Sequence, residues 1–167
     1  MRKEHQPAVS QNIKDELVKW ANVSFAGQSS DLYAVTLTFK PSVSYRLVER
    51  SKDVTHFLRR LNTKVYGKAY KNGRHQLPCF PVFENNSSGG VHIHMVLGRP
   101  LTGERLSKPF EEVVMAEWLT LDYSGVAIAQ DVQDCYDLEG WLGYITKRIT
   151  NAGAVDQLDI KNVCFGK

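Results

Sequence analysis

No apolar run in this chain reaches membrane-spanning length, and residues 1–20 carry Lys3, Glu4, Lys14, Asp15 and Glu16 without an apolar signal core. Neither a spanning helix nor secretion is expected, and a cytoplasmic location follows. Cysteine is scarce: Cys79, Cys135 and Cys164 are odd in number and far apart. That spacing rules out a zinc ribbon and fits thiols in a reducing compartment better than a disulfide framework. There is no GxxxxGK[ST] segment, so a fused P-loop helicase is missing from this chain. Internal repeats, low-complexity tracts and obvious linkers are also lacking. What is present is 167 residues, 43% of them hydrophobic. One domain over 1–167 with one good core is expected.

A net charge of +3 conceals an uneven distribution, because Lys40 to His75 alone carries +8 and the remainder −5. A basic helix face is often only a solvated face. Here the asymmetry suits a polyanionic partner, since each cation set against a phosphate releases a counterion. Arg46, Arg50, Arg59, Arg60, Lys64 and Lys68 are the candidate contacts to such a polyanion. Tyr66 and Tyr70 lie among them, either to stack on bases or to pack inward.

Helix and strand signals alternate along the whole chain. Ser10 can cap a helix to about Ala21 with Ile13, Leu17 and Trp20 on one face. LYAVTLTFK (Leu32–Lys40) reads as a strand stopped by Pro41. Ser51 to about Tyr70 reads as a helix with Val54, Phe57, Leu58, Leu61 and Val65 inward, closed by Asn72-Gly73. A hairpin of Leu77–Glu84 and Gly90–Gly98 follows, then a helix from Pro109 to about Asp122. A strand over Gly125–Val132, a helix from Asp137 to about Asn151 and one short strand after Ala154 complete the reading. The order predicts an α+β fold: a ferredoxin-like or RRM-like antiparallel sheet of about five strands with helices packed on it.

Chemistry concentrates in ENNSSGGVHIHMVL (Glu84–Leu97). Alternate strand residues share a face, so His92 and His94 point one way while Val91, Ile93, Met95 and Leu97 point the other. If NNSSGG is the turn, Glu84 returns beside the histidines. Two imidazoles and a carboxylate outline a metal site for a divalent cation, zinc included. His56, His75 and Asp131 are the substitutes for Glu84. On the last helix Tyr144 and Lys147 share a face apart from Leu138, Leu142, Ile145 and Ile149, which leaves a tyrosine free to meet substrate. Gly140 and Gly143 weaken that helix, a hint of close approach by backbone or ligand.

With these residues in view, VHIHMVL resembles the signature of the HUH endonucleases. Tyr144-Ile-Thr-Lys147 resembles the nucleophile motif of their single-tyrosine Rep branch, and AVTLTFK (Ala34–Lys40) is similar to that branch's first motif. The three occur in Rep order between about Leu32 and Ile149. Tyr136 lies eight residues from Tyr144, so the paired-tyrosine pattern of some phage initiators is absent. The resemblance implies rolling-circle replication of a plasmid, phage or related element in a prokaryotic cytoplasm or nucleoid. His92, His94 and Glu84 would hold Mg²⁺ or Mn²⁺ on the scissile phosphate of single-stranded origin DNA, a stem-loop being one form. Tyr144 would attack and leave a 5′-phosphotyrosine, with Lys147 orienting or deprotonating the phenol or neutralising the phosphate. Either a host helicase would then unwind the duplex, or this chain is the nuclease domain of a longer protein. The rival reading is a non-catalytic RRM-like nucleic-acid-binding module, which would display aromatics on its central strands where this chain has histidines.

Overall fold

The computed structural model describes residues 8–28, 30–41, 46–85, 90–149 and 152–166. Among these residues five α-helices and four strands run in the order α1 (Ala8–Ala26), β1 (Ser30–Thr38), α2 (Leu47–Tyr66), α3 (Lys68–Lys71), β2 (Cys79–Asn85), β3 (Val91–Pro100), α4 (Phe110–Leu119), β4 (Asp131–Asp134) and α5 (Leu138–Ile145). The strands form one antiparallel sheet in the order β2-β3-β1-β4. This is the α+β architecture that the alternation predicts.

The two sheet faces are used differently. Tyr33, Val35 and Leu37 of β1 and Ile93, Met95 and Leu97 of β3 share one core with Val54, Phe57, Leu61 and Val65 of α2 and Phe110, Val114 and Trp118 of α4. On the other face Phe80, Val82 and Val96 pack with Ala21 and Phe25 of α1 and Leu142 and Ile145 of α5. That second core covers only one end of the face. At the other end the same strands carry Thr36, Thr38, Glu84, His92, His94 and Asp131, which share a face because each pair is in antiparallel register.

Several boundaries differ from the expectation. The sheet holds four strands among the described residues, one fewer than the count from the pattern. The segment expected as a strand over Gly125–Val132 is instead a 3-10 turn, Ala127–Ala129, before the short β4. Gln130 explains it. Its side chain accepts from Thr38 N (2.7 Å) and donates to Thr38 Oγ1 (2.7 Å) and Val126 O (2.8 Å), folding the segment back on itself. The expected tail strand is replaced by 3-10 turns and two isolated bridges, Val82↔Leu158 and Cys79↔Cys164, which cover the outer edge of β2.

Helix limits shift for local reasons. α1 begins before Ser10, whose side chain lies outside the described residues, and Trp20 is 40% exposed, its ring edge-on to Phe80 and Phe165. The basic helix ends at Tyr66 rather than near Tyr70, because Gly67 turns the chain at φ 56, and Gly73 (φ 68) follows the short α3. α5 ends at Ile145 rather than near Asn151, where Thr146 Oγ1 bonds back to Leu142 O (2.7 Å). The NNSSGG turn falls largely on residues 86–89, outside the described residues.

Candidate active site

His94 is the centre of the polar end of the sheet face. It is buried, with Nδ1 2.9 Å from Thr36 Oγ1 and Nε2 2.9 Å from Glu84 Oε2. Thr36 lies directly across from His94 on β1, and Glu84 stands on β2 opposite His92 and diagonal to His94. Hairpin pairing therefore brings Glu84 back beside both histidines, whose rings are 6.2 Å apart. Burial holds the His94 imidazole below its ordinary pKa despite the neighbouring Glu84 charge, so at neutral pH it is an uncharged ring with one N–H and one nitrogen electron pair.

Glu84 collects cations. Lys147 Nζ lies 3.3 Å from Oε2, and Arg148 Nε 3.2 Å from Oε1. Arg148 also donates to Asn85 O (2.6 Å), fixing its guanidinium on the hairpin. Burial would raise the Glu84 pKa, but the hydrogen bond and charge of Lys147, with His94 and Arg148, outweigh it and hold the carboxyl below its usual range.

α5 supplies the aromatic wall. Asp137 caps it, accepting from Gly140 N at 2.9 Å. Leu142 and Ile145 bury one side, which turns Tyr144 outward at 47% exposure. The Tyr144 ring stacks on Trp141 (centroids 5.3 Å, interplanar 17°) and lies 5.7 Å from the His94 ring. Trp141 Nε1 donates to Met95 O at 3.1 Å, anchoring the stack to β3. Lys147, in the turn just past the helix, sets its ammonium 3.7 Å from the Tyr144 ring centroid. Lys147 thus touches both Glu84 and Tyr144.

The structure brings Tyr144, Lys147, His94, His92 and Glu84 to one place. It does not bring the basic residues there. α2 packs on the opposite face of the sheet, where Arg50 pairs with Asp53 and stacks on Phe39, and Arg60 pairs with Glu117. Arg46 lies beside Glu49 on the same helix (3.9 Å). Arg59, Lys64 and Lys68 are exposed on that far side, and Tyr66 is buried in the core rather than open to a base. His56 meets Tyr123 and His75 meets Tyr66, both away from the site, whereas Asp131 shares the His94 face opposite Thr36. Thr36, Trp141 and Arg148 complete the arrangement although the motif reading did not single them out for it. The signal for Trp141 was its spacing of three from Tyr144, one helical turn.

A sequence model of the replication-associated protein ORF2 family matches residues 32–154, from β1 through α5. The chain belongs to this family. The match spans every residue of the candidate site, so the replication-associated family and the clustered side chains coincide. No curated protein and no solved structure matches the chain. Among the described residues of this family member no helix is long and apolar enough to cross a membrane.

Whether these donors fit a divalent cation depends on how they are already engaged. Among the described residues no group of three His, Cys, Asp or Glu side chains stands ready to hold a metal ion. Glu84 shares its oxygens among His94 Nε2, Lys147 and Arg148 instead. The chemistry nevertheless fits: in the neutral ring Nε2 donates to the ionised Glu84 and Nδ1 accepts from Thr36 Oγ1, and with the ring proton on Nδ1 instead, donated to Thr36, the Nε2 electron pair would face a cation beside a second imidazole and the carboxylate.

Proposed function

We propose that this replication-associated protein is a single-tyrosine HUH endonuclease that nicks and rejoins single-stranded DNA at a replication origin. The observation that carries the reading is the shared contact of Lys147 with Tyr144 and with Glu84, beside His94. A tyrosine, an ammonium group, two imidazoles and a carboxylate thus lie together over one end of a sheet face, which supports the reading. His92, His94 and Glu84 would hold Mn²⁺ or Mg²⁺, which when bound polarises a phosphate oxygen and offsets transition-state charge.

The chain's own residues carry the transfer. The Tyr144 oxygen forms a bond to the scissile phosphorus while the bond to the 3′ oxygen breaks. The phenol loses its proton and the departing 3′ oxygen gains one, leaving a 5′-phosphotyrosine and a 3′-hydroxyl. The Lys147 ammonium favours negative charge on the phenol oxygen as it develops. Trp141 restrains the ring, so little orientation is lost on the way to attack. Because the phosphotyrosine retains the energy of the phosphodiester, the 3′-hydroxyl can reverse the step and rejoin the ends. Single-stranded origin DNA is the substrate, with host helicase and replication machinery as partners. A sheet face carrying His92, His94 and Glu84 supports this reading over a binding module with aromatics on its central strands.

Incubation with single-stranded origin oligonucleotides and Mn²⁺, followed by a denaturing gel, tests it. Wild type should form a covalent adduct and Tyr144→Phe none; an adduct on Tyr144→Phe would remove Tyr144 as nucleophile. His92→Ala, His94→Ala and Glu84→Ala should each weaken Mn²⁺ binding measured by calorimetry, and unchanged binding by Glu84→Ala would move the third ligand elsewhere.

A further inference from the structure

The turn between α4 and β4 carries a feature that folding does not require. Ile128 is 95% exposed and Val126 69%, and the 3-10 turn that Val126 precedes and Ile128 centres buries none of its residues. Yet the turn is held firmly. Gly125 N donates to Thr38 O (2.7 Å), and Gln130, itself buried, clasps Thr38 through both its amide atoms. A side chain at Gly125 would collide with Thr38 Oγ1. Thr38 pairs with His92, so the clasp fastens an apolar knob to the rim of the catalytic face, on the β4 side.

Charge across that face is polarised. Lys147 and Arg148 stand at the β2 and α5 side, around Glu84. At the β4 side Asp131 and Gln133 share the catalytic face, opposite Thr36 and Ala34, and both are exposed. A nucleic-acid backbone is attracted to the first side and repelled by Asp131 at the second. Its bases, which carry apolar faces and hydrogen-bonding edges, suit the second.

We propose that the clasped turn and β4 form a base-binding subsite, in which Val126 and Ile128 pack on a base of the single strand while Asp131 and Gln133 meet base edges. This rests on the single-stranded DNA reading of the site and adds the strand's orientation: phosphates toward Lys147 and Arg148, bases toward β4. Asp131 accepts from base N–H groups, the ring N3–H of thymine included, and Gln133 both donates and accepts, so base preference next to the cut would be set here.

The test compares binding of a 20-nucleotide oligo(dT) with an abasic backbone of equal length, by fluorescence anisotropy, on a Tyr144→Phe background that prevents cutting. Replacing Val126 and Ile128 by Ser should weaken oligo(dT) binding about tenfold, the scale of one lost base contact. Affinity for the abasic backbone should stay unchanged, as should the melting temperature, because both side chains are exposed. Equal losses on both ligands, no loss on oligo(dT), or a change in oligomeric state would each overturn the subsite. None of these outcomes bears on whether wild type forms a covalent adduct, so failure here is distinguishable from failure of the nuclease reading.

Discussion

Protonating Glu84 would weaken three contacts at once, to His94 Nε2, Lys147 and Arg148. Its folded pKa is depressed, so its contribution to stability is present above the unfolded value, about 4.3, and is lost as pH falls through the folded value. His94 is also depressed, by burial. The unfolded chain takes up its proton first, so stability begins to fall once pH drops below about 6.5. The metal-free protein should therefore melt at lower temperature in two stages on acidification. His94→Gln should flatten the upper stage and Glu84→Gln the lower one, read by scanning calorimetry between pH 7 and pH 3. A Glu84→Gln profile identical to wild type would show that the carboxylate's contacts add nothing. At this scale the pattern was legible: strand alternation put the histidines on one face, and the hairpin returned Glu84 to them. The attachment of Arg148 to Glu84 was not legible, because it depends on where the chain turns after α5.

At the scale of the element, α5 positions Tyr144 and carries two glycines that do different things. Gly140 donates its N–H to the capping Asp137, and a methyl group there would meet the Asp137 carboxylate. Gly143 has nothing within 4 Å of such a methyl. Gly143→Ala should stabilise the protein by up to about 1 kcal/mol in urea unfolding, the helix-propensity gain. Gly140→Ala should show no net gain, because losing the cap costs about 1 kcal/mol. Equal stabilisation by both would mean that Asp137 is not a working cap. The sequence hint that these glycines mark close approach of backbone or ligand is corrected: at Gly140 the neighbour is the capping Asp137 side chain, and at Gly143 there is none within 4 Å. The 3-10 turn before β4 shows the opposite limit of pattern reading. Gly125–Val132 has strand-like composition, but hydrogen bonds from Gln130 to Thr38, distant in sequence, override it.

For the whole molecule, the sheet separates two charged surfaces. α2 lies on the face away from Tyr144, about 10 Å or more distant across the packed layer, beyond the Debye length of about 8 Å at physiological salt. Arg59, Lys64 and Lys68 are accordingly proposed to hold DNA flanking the cut rather than the strand being cut. Binding to long origin DNA should fall steeply between 50 and 200 mM salt, and Arg59→Glu with Lys64→Glu should reduce that log–log slope by roughly two. Adduct formation on short oligonucleotides should persist in the same variant, and its loss would place α2 at the active site after all. The sequence by itself determined the α+β class, the apolar faces of α2 and α5, the shared face of His92 and His94 and the outward placement of Tyr144. These are consequences of local periodicity, which a single segment carries. Only the tertiary structure decided that Lys147 and Arg148 reach Glu84, that the basic helix turns its back on the candidate site, and that an apolar turn is clasped beside Thr38 at the rim of that face. Each of those depends on which sheet face a helix covers or on a partner far along the chain, and periodicity within one segment contains neither.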